Sequence, residues 1–474
     1  MTKEELIKLV EDIIEKKGET QNIEIKSAHK GCPRRLYDTL SSFSNQDNGG
    51  VIIFGLDESN EFKVIGIYNS QDLQKSVTEQ CNQMEPPVRG VFTFAKIGEV
   101  NICSFEIPGI EITQRPCFYK GAGKIKGSYI RVGDADLPMT DYEIYSFEAF
   151  KKHVHDDERK VERANYSNMD MIEIEKYILN KKSEKPKFAK FTNEQAYEML
   201  GIKREEKFTL ASVMNFSLYP QGLFPQLGII ATVVPGYEVG ELGKDGERFL
   251  DNKRIEGTIS EMLEEALTFC KRNMKTKTII DNGIRNDKTE YPLNAIREAI
   301  INALIHRDYS VHTEGTPIQI VFFRDRLEIR SPGGLYGRMT VEQLGKVRPD
   351  LRNPTLATMV EGLNKTENRY SGIPTIRMEM KNHGLLEPVF KENRNEFVVI
   401  LYNQEKIESD SIVEKILNFC EEPKTRKEIA ELLQVKTTGY AYTKYIEPLI
   451  KNGKLGLTIP DTISSKNQKY YKIK

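Results

Sequence analysis

One thirteen-residue stretch, from Arg297 to Tyr309, constrains the fold more than any other part of the chain. Read as a helix, it places Glu298, Asn302 and His306 on one stripe, because residues four apart stack on the same face. Most other positions are Ala, Ile or Leu, so this helix is apolar nearly all round and is expected to be buried. Buried polar groups cost free energy unless they are satisfied. The stripe therefore needs a partner, which is either a metal-bound nucleotide or a hydrogen-bonded network within the core.

Bulk composition bounds the class of protein. The chain has 474 residues, enough for about three domains, and its formal net charge of -1 gives no whole-chain indication of nucleic-acid binding. Its six cysteines form no Cys-x-x-Cys pair, and a chain of this length does not need disulfide bonds to hold its core. The charged start does not resemble a signal peptide, and no apolar run approaches the ~20 residues that span a bilayer. A cytoplasmic protein without a membrane partner is expected.

The first 150 residues alternate helical and strand-like patterns, which predicts an α+β domain. An amphipathic helix over residues 2–17 begins with a capping-box pair, Thr2 and Glu5. Strands are expected at Ile23–Lys26, Val51–Phe54, Phe62–Ile67, Val91–Phe94 and Asn101–Ile107, and helices at Arg34–Phe43 and Gln71–Gln83. The charged run Lys151–Lys160 is expected to be a solvated linker or an exposed helix.

The middle of the chain is predicted to be helical over residues 168–200 and to contain a buried strand at Leu227–Val234. A long helix is expected at Gly257–Asn273, and the buried helix follows from Pro292, since proline is tolerated in the first helical turn. Ile318–Phe323 and Leu327–Ser331 are predicted to pair as a hairpin. The sequence then indicates loops until a strand at Phe397–Tyr402.

The C-terminal sixty residues have the pattern of a winged helix. Helices are expected at Ser411–Cys420, from the capping box at Thr425 through Leu433, and at Tyr440–Lys451, with a two-stranded wing at Leu455–Ile459 and Lys469–Ile473. From Lys436 to Lys474 there are eight lysines and two acids, and three residues of the third helix are predicted to face outward: Tyr440, Thr443 and Lys444. This surface suits a nucleic-acid backbone, although a winged helix used for protein contacts or dimerisation has the same pattern.

Carboxylates cluster near the first strand. Glu19 precedes the strand that carries Glu24 and Lys26 on one face, and Asp57 follows the buried run Val51–Gly55. Acids that hold Mg²⁺ or Mn²⁺, with a lysine that offsets charge on a phosphate, are what a metal-dependent phosphodiesterase needs. A surface acidic patch explains the same spacing.

The glycine-rich segment Gly121–Ser128 looks like a phosphate-binding loop but lacks the Gly-x-x-x-x-Gly-Lys-Ser spacing. Its strand-like flanks, Cys117–Lys120 and Tyr129–Val132, predict a glycine hairpin. Four basic side chains of this region are predicted to form a strip against a nucleic-acid backbone: Lys120, Lys124, Lys126 and Arg131.

Two blocks resemble known families. The spacing Glu19-x-x-x-x-Glu24-Ile25-Lys26, the run from Ser41 to Asp57 and the strand Tyr129–Gly133 resemble the Schlafen/AlbA-type domain. Residues Tyr291–Tyr309, with Ser331-Pro332-Gly333-Gly334-Leu335 and Arg352-Asn353-Pro354, resemble the divergent GHKL-type (Bergerat-like) ATP-binding domain, an α/β sandwich. The two domains occur together in proteins named as bacterial transcriptional regulators, often with a C-terminal winged helix.

The GHKL resemblance implies roles at particular positions. Glu298 would polarise the attacking water, and Asn302 would coordinate Mg²⁺ at the phosphates of ATP. The glycine-box positions would line the nucleotide: Ser331, Gly333, Gly334 and Gly372. Ser331 stands where the family has an aspartate that reads adenine, and Tyr370-Ser371-Gly372-Ile373 has fewer glycines than the second box. Binding of ATP without fast hydrolysis is therefore expected.

The Schlafen resemblance implies a metal site made of two glutamates and an aspartate. Glu19 and Glu24 match the glutamate spacing, and Asp57 is the third candidate, with Asp47 as its competitor. Many members of this family are named only as DNA-binding.

These observations predict an α+β protein of several domains: residues 1–150 Schlafen/AlbA-like, 151–275 connecting, 276–405 GHKL-type and 410–474 winged helix. The first functional hypothesis is a nucleotide-responsive regulator that binds DNA or RNA, by analogy a homodimer. The second is a metal-dependent nuclease acting on RNA or single-stranded DNA, and the third is a scaffold in which neither site is active.

Overall fold

The structure of the protein is a computed structural model that describes the chain except for residues 17, 19, 282–283, 365–371, 394, 405–414, 434, 436–437, 452, 460–467 and 474. The chain divides into two compact units. The first joins Met1–Ile376 with Val389–Ile400, and the second joins Arg377–Pro388 with Leu401–Lys474. Among the described residues, no helix is both long enough and apolar enough to cross a membrane.

The N-terminal part of the first unit is an α+β domain. Its helices are α1 (Lys3–Lys16), α2 (Tyr37–Ser44), α3 (Ser70–Asn82), α4 (Gly123–Gly127) and α5 (Asp141–Lys151). Its strands are β1 (Ile23–Lys26), β2 (Gly50–Phe54), β3 (Leu56–Asp57), β4 (Lys63–Val64), β5 (Met84–Glu85), β6 (Val91–Ile97), β7 (Val100–Ile107), β8 (Phe118–Tyr119), β9 (Tyr129–Val132) and β10 (Ala135–Pro138).

A mixed sheet of order β1-β2-β7-β6 forms the centre of this domain, with β1 and β2 parallel. Both faces of the sheet are covered, which explains why β2 is apolar along its length. Ile52 and Phe54 pack with α2 and α3, whereas Ile53 packs with α1 on the other face. The predicted capping box of α1 is confirmed: the Thr2 N–H donates to Glu5 Oε2 at 2.7 Å and the Glu5 N–H donates to Thr2 Oγ1 at 3.2 Å.

The segment Gly121–Ser128 contains the short helix α4 where a tight glycine hairpin was predicted, but an antiparallel bridge between Phe118 and Ser128 does join its two flanks. Beyond that bridge, β8 pairs with β5 and β9 pairs with β10. Gly123 has a φ of +73°, a conformation that glycine adopts without strain, and the chain then winds into α4. The glycine therefore serves to start a helical turn.

The rest of the first unit contains a helical region and a second, larger sheet. Helices are α6 (Met171–Glu184), α7 (Asn193–Met199), α8 (Leu210–Phe216), α9 (Pro220–Leu223), α10 (Ile259–Asn273), α11 (Leu293–His306), α12 (Pro354–Asn364) and α13 (Gly372–Asn382), of which α13 continues into the second unit. Strands are β11 (Lys203–Arg204), β12 (Lys207–Phe208), β13 (Ile229–Val233), β14 (Asp251–Ile255), β15 (Thr276–Asp281), β16 (Ile284–Thr289), β17 (Ile318–Phe322), β18 (Arg326–Pro332), β19 (Val389–Asn393) and β20 (Glu396–Tyr402).

The larger sheet has six strands in the order β14-β13-β17-β18-β20-β19. The predicted hairpin of β17 and β18 is confirmed. Strand β13 runs parallel to β17, with Ile229 opposite Ile318, and β14 pairs with the outer edge of β13. The sheet thus takes two strands from residues 151–275, which the sequence assigned to a connecting region. Parallel pairing between strands that are far apart in the sequence leaves no local pattern, which explains why the sequence did not assign β13 to this sheet.

The charged run Lys151–Lys160 is only partly solvated: Lys151–Val154 are exposed as predicted, whereas His155 and Asp157 are docked against the chain around the start of α12. Asp157 is 0% exposed, and its Oδ2 accepts the Leu356 N–H at 2.8 Å. His155 Nδ1 donates to the Arg352 carbonyl at 3.0 Å. The charged residues predicted exposure to solvent, but these two side chains instead form hydrogen bonds with backbone groups of another segment.

The second unit contains α14 (Arg426–Leu432), α15 (Thr438–Ala441), a π-helical segment (Tyr442–Ile446) and α16 (Glu447–Lys451), and residues 415–419 are also helical. Strands β21 (Lys424–Thr425), β22 (Leu455–Leu457) and β23 (Lys469–Lys472) form a sheet of order β21-β23-β22. The predicted pairing of the last two strands and the capping box at Thr425 are both present. Residues 411–414 of the predicted first helix lie outside the described residues. The α+β, multidomain fold class is confirmed.

Candidate functional site

Helix α11 forms one wall of a cavity of about 150 Å³. Its apolar side chains are buried, which meets the expectation from the sequence: Ala295, Ile296, Ala299, Ile300, Ile301, Ala303, Leu304 and Ile305. The stripe residues Glu298, Asn302 and His306 are only half-buried, and the last two line the cavity. Within the part of the chain that the structure describes, none of the three side chains has a hydrogen-bond partner. The stripe thus faces open space rather than a closed polar network.

Gly372, the first residue of α13, meets the stripe at one end of the cavity. A Cβ added there would lie 2.7 Å from Asn302 Nδ2 and 3.1 Å from Glu298 Oε2. Three residues that the resemblance assigned to one nucleotide site are therefore adjacent, and a Cβ at position 372 would crowd both polar side chains. Tyr370 and Ser371, which precede Gly372 in the predicted second glycine box, lie outside the described residues.

The end of β18 and the two glycines after it line the same cavity. Ser331 is buried, and its hydroxyl donates to the Ala303 carbonyl of α11 at 3.1 Å. Gly333 has a φ of +93°, and a Cβ there would lie 2.4 Å from Arg352 Nη1. A Cβ at Gly334 would lie 2.4 Å from a carboxylate oxygen of Glu392. The glycines are thus needed because two charged side chains pass close to the backbone.

Arg352 is a cavity residue to which the sequence gave no role, although it was part of the Arg-Asn-Pro match. Its side chain is 7% exposed, and Nη2 donates to the Gly334 carbonyl at 3.1 Å. Glu392 was missed as well, and its Oε1 accepts the Leu335 N–H at 2.8 Å. Arg352 lines the cavity from a loop, and Glu392 holds the loop at Leu335 from a strand end; at such places no periodicity predicts the direction of a side chain.

The residues after α11 hold the end of the helix. Arg307 is almost completely buried and donates to the Thr313 and Thr316 carbonyls, and the Tyr309 hydroxyl donates to the Leu304 carbonyl at 2.7 Å. Asn353 Nδ2 donates to the carbonyls of Ile305 and Arg307, each at 2.8 Å. These bonds satisfy carbonyls that a helix end otherwise leaves free. The Arg-Asp-Tyr segment thus acts as a structural lock at the end of α11.

A contact from the N-terminal domain reaches this lock. The Tyr142 hydroxyl on α5 donates to Asp308 Oδ2 at 2.7 Å, and Asp308 Oδ1 also accepts the Ser310 N–H at 2.7 Å. Burial opposes ionisation of Asp308, but the nearby Arg352 and these hydrogen bonds hold its pKa below the usual value. Asp308 therefore stays charged and joins α5 to the cavity wall.

Burial changes the acid–base behaviour of two stripe residues. It raises the pKa of the Glu298 carboxyl, against the opposing effect of Arg297. Burial, followed by the charge of Arg352, lowers the pKa of His306 to about 4, so this ring is neutral at pH 7. A carboxylate with a raised pKa accepts a proton from water more readily, which is the property required of a general base.

The predicted carboxylate set of the N-terminal domain is not arranged as a metal site. Glu24 is buried between two cations: Oε2 accepts from Arg131 Nη1 at 2.8 Å, and Oε1 is paired with Lys26. Asp57 accepts the Ser59 N–H and hydroxyl within its own turn. Among the described residues no group of three His, Cys, Asp or Glu side chains could hold a metal ion, and Glu19 lies outside them.

The competing aspartate, Asp47, forms an ion pair with Arg115 Nη2 at 2.7 Å. Since Glu24 is already compensated by two cations, a divalent metal would have to displace Lys26 or Arg131 to bind there. The described acids therefore do not fit the metal that the Schlafen resemblance implied.

The predicted basic strip is only partly on the surface. Lys126 is exposed, whereas Lys124 pairs with Glu148 at 2.5 Å. The Arg131 side chain is 1% exposed and bonds to Glu24 and Asp136, so it is not available to a nucleic-acid backbone. Alternation along β9 alone did not reveal that this guanidinium points inward to an acid on β1.

On the second unit, the predicted outward residues lie on the last helical stretch. Tyr440 is 48% exposed, and Lys444 Nζ donates to its hydroxyl at 2.6 Å. Lys444 therefore places a cation beside an exposed aromatic ring. The side chain of Thr443 lies outside the described residues.

Comparison with known families identifies two domains. Residues 19–140 match the family model described as "Schlafen, AlbA_2", and residues 315–401 match the one described as "Putative ATP-dependent DNA helicase recG C-terminal". The chain therefore contains a Schlafen/AlbA_2 domain and a RecG-like C-terminal domain. Helix α11 precedes the second matched range, although it forms a wall of the same cavity.

Two solved structures are similar in part. The crystal structure of the DIP2311 protein from Corynebacterium diphtheriae is 18% identical, with 95% of this chain and 93% of that chain covered and a TM-score of 0.41. The solution structure of the N-terminal domain of a putative ATP-dependent DNA helicase RecG-related protein from Nitrosomonas europaea is 20% identical, with 28% and 92% covered and a TM-score of 0.23. No curated protein matches the chain.

Proposed function

We propose that this protein binds a nucleoside triphosphate with Mg²⁺ in the cavity between α11 and β18 and binds nucleic acid in response. The observation that carries the proposal is the meeting of Glu298, Asn302 and Gly372 at one end of that cavity. Three sequence-distant polar or glycine positions converge there, and the two polar side chains have no partner among the described residues. ATP is the nucleotide that the GHKL resemblance names.

The chemistry of this end suits a triphosphate. The Asn302 amide oxygen is a ligand that Mg²⁺ accepts, and Gly372 opens α13, whose N-terminus favours negative charge. A Mg²⁺ ion held there would neutralise charge on the phosphates. Glu298, with its raised pKa, would orient and deprotonate a water molecule. Ser331 stands where the family has an aspartate, and we therefore expect slow hydrolysis of the nucleotide. The site would then act mainly as a switch.

Nucleic-acid binding rests on the Schlafen/AlbA_2 domain and on the second unit. We infer that the second unit is a winged helix, because helical segments and a three-stranded antiparallel sheet occur in the expected order. Tyr440 and Lys444 would contact duplex DNA, with RNA as the alternative, and a transcriptional role and a homodimer would follow from this architecture. No observation favours the nuclease alternative, since the Glu24 carboxylate is already paired with Lys26 and Arg131.

The nucleotide part of the proposal is tested by thermal unfolding with and without ATP and Mg²⁺ over a range of concentrations. The wild-type protein should be stabilised in proportion to ligand concentration, as expected for a ligand that binds the folded state. Asn302→Ala should lose this stabilisation, whereas Asn294→Ala, an exposed position on the same helix, should retain it. Stabilisation that survives in Asn302→Ala would place the nucleotide elsewhere.

The nucleic-acid part is tested by binding of duplex DNA and RNA at several salt concentrations. Affinity should fall as salt rises, because phosphate contacts release counterions. Nucleotide with Mg²⁺ should change this affinity in the wild-type protein but not in Asn302→Ala. The proposed function is contradicted if the protein binds neither duplex DNA nor RNA, or if nucleotide with Mg²⁺ does not change its affinity for them.

A further inference from the structure

A buried arginine joins the loop that lines the nucleotide cavity to the end of helix α11. Arg352 is 6% exposed, and its Nη2 donates to the carbonyl of Gly334, one of the two glycines that line the cavity. A Cβ at Gly333 would lie 2.4 Å from Arg352 Nη1 and 2.6 Å from the Asp308 Cβ. The guanidinium and Asp308 are thus packed directly against the glycine turn. The position of that turn therefore depends on Arg352.

Helix α5 of the N-terminal domain is connected to the same arginine through two contacts. The Tyr142 hydroxyl donates to Asp308 Oδ2 at 2.7 Å, and this oxygen lies 3.8 Å from Arg352 Nη1. The Phe150 ring meets the Tyr336 ring edge-on, with 5.4 Å between the ring centres, and the Arg352 guanidinium lies 5.2 Å from the centre of the Tyr336 ring. Tyr336 itself lines the cavity. A displacement of the cavity loop would therefore move groups that are packed against α5.

The contact between Arg352 and Asp308 is not closed. A distance of 3.8 Å is longer than a hydrogen bond, and the buried Nη1 has no hydrogen-bond partner. A buried donor without an acceptor costs free energy, so a small shift of the guanidinium toward Asp308 is favourable wherever the turn at Gly334 permits it. A ligand that contacts Gly333 and Gly334 would move this turn. The buried pair can thus be open or closed according to what occupies the cavity.

The same helix is bonded to the basic residues of the N-terminal domain. Glu148 Oε1 on α5 pairs with Lys124 Nζ on α4 at 2.5 Å, and the Lys124 side chain is 39% exposed. Lys126, two residues further on, is exposed as well. A nucleic-acid phosphate that binds Lys124 would compete with Glu148 for this cation and change the hold of α4 on α5. Helix α5 therefore carries an ion pair to the basic residues and a hydrogen bond to the wall of the nucleotide cavity.

We propose that α5 couples nucleotide binding to nucleic-acid binding, and that Tyr142 and Arg352 are the positioning residues through which it does so. The inference rests on the proposed function and names the contact by which the nucleotide acts on the N-terminal domain. Bound nucleotide draws Arg352 toward Asp308 and fixes the Tyr142 hydrogen bond, so that α5 holds the basic residues in one position. Coupling between two binding sites is reciprocal, so nucleic acid should raise nucleotide affinity by the same factor, at least about fivefold.

Titration calorimetry of the full-length protein measures this coupling factor. ATP with Mg²⁺ is titrated into the protein alone, into protein saturated with duplex DNA and into protein saturated with RNA. At least one of the two nucleic acids should raise the ATP affinity of the wild-type protein by about fivefold or more. Tyr142→Phe should bind each ligand separately, but its ATP affinity should be the same with and without nucleic acid. Tyr145→Phe is the matched control, because this hydroxyl on the same helix donates at 2.6 Å to Asp156, which does not line the cavity. It should keep the wild-type coupling factor.

A wild-type coupling factor in Tyr142→Phe overturns the inference and leaves the proposed function intact. Equal losses in Tyr142→Phe and Tyr145→Phe overturn it too, because a general loosening of α5 would then explain both. A wild-type protein whose ATP affinity is unchanged by either nucleic acid overturns the inference and the proposed function together. If Tyr142→Phe does not fold, Glu148→Gln decides the question: it removes the ion pair between α5 and Lys124, and an unchanged coupling factor in this variant overturns the inference.

Discussion

Replacing Gly372 with alanine tests the end of the cavity where Asn302 and Glu298 meet. The new Cβ would lie 2.7 Å from Asn302 Nδ2, a separation that real Cβ atoms essentially never show, and 3.1 Å from Glu298 Oε2. The Asn302 amide must therefore move, and because it is the end of a side chain it can do so without moving the backbone. Gly372 does not have a left-handed φ, so alanine adds no backbone strain, and by restricting the unfolded chain it can stabilise the protein by about 0.4–1 kcal/mol.

The substitution is expected to weaken nucleotide binding rather than folding. A hydrogen bond to a charged group contributes about 1.5–3 kcal/mol, so displacing the Asn302 amide from a phosphate or its metal ion should weaken nucleotide binding roughly ten- to hundredfold. The stability of the unliganded protein should stay the same or rise slightly. Affinity and stability are thus expected to change independently.

Titration calorimetry with nucleotide and Mg²⁺ measures the first quantity, and thermal unfolding without ligand measures the second. Gly315→Ala is the matched control, because a Cβ there meets no atom within 4 Å and the residue has no positive φ. Wild-type nucleotide affinity in Gly372→Ala would refute the placement of the phosphates at Asn302. A large loss of stability would refute the expectation that the Asn302 side chain can give way.

Three further outcomes follow from the structure. Tyr142→Phe should lower the free energy of unfolding by about 1–3 kcal/mol, because it removes a donor from the buried Asp308; Tyr219→Phe, which removes an exposed bond of the same 2.7 Å length, should change it by less than about 1 kcal/mol. Burial raises the pKa of Asp157 from 3.8 to about 6. As pH rises, the unfolded chain loses this proton before the folded protein does, so the free energy of unfolding should fall between about pH 4 and pH 6 by up to about 3 kcal/mol. Chemical denaturation at several pH values measures this decline, and Asp157→Asn should flatten it. The same dependence of stability on pH in Asp157→Asn would contradict the burial argument. Lys444→Ala should weaken duplex DNA binding and reduce its salt dependence by about one counterion, and unchanged binding isotherms would remove this residue from the interface.

Local patterns predicted the elements that carry the cavity. Helices α10 and α11 and the β17–β18 hairpin lie within a few residues of their predicted bounds, because each has a continuous apolar period and a clear beginning or end. Sequence therefore located one wall of the site and its polar stripe.

What the sequence did not predict depends on contacts between distant segments. The parallel pairing of β13 with β17 moved two strands into the larger sheet, and no local signal marks such a partner. The strand that contains Arg131 was predicted, but the burial of this side chain depends on its ion pair with Glu24, which is far away in the sequence. Arg352 lines the cavity from a loop, Glu392 lies beside the cavity loop at a strand end, and Gly333 and Gly334 leave room for these two side chains.

The docked segment that follows α5 has a consequence for how the first unit unfolds. Tyr142 on α5 bonds to Asp308, and after α5 His155 and Asp157 bond to the Arg352 carbonyl and the Leu356 N–H, so that each contact satisfies a buried or partly buried polar group. Opening the chain near residue 150 therefore costs several such bonds at once. The Schlafen/AlbA_2 domain and the RecG-like domain are then expected to melt in one cooperative transition. Lys151–Val154 are exposed, so a protease could cut the chain there, but the cut would leave Tyr142 of the N-terminal domain bonded to Asp308.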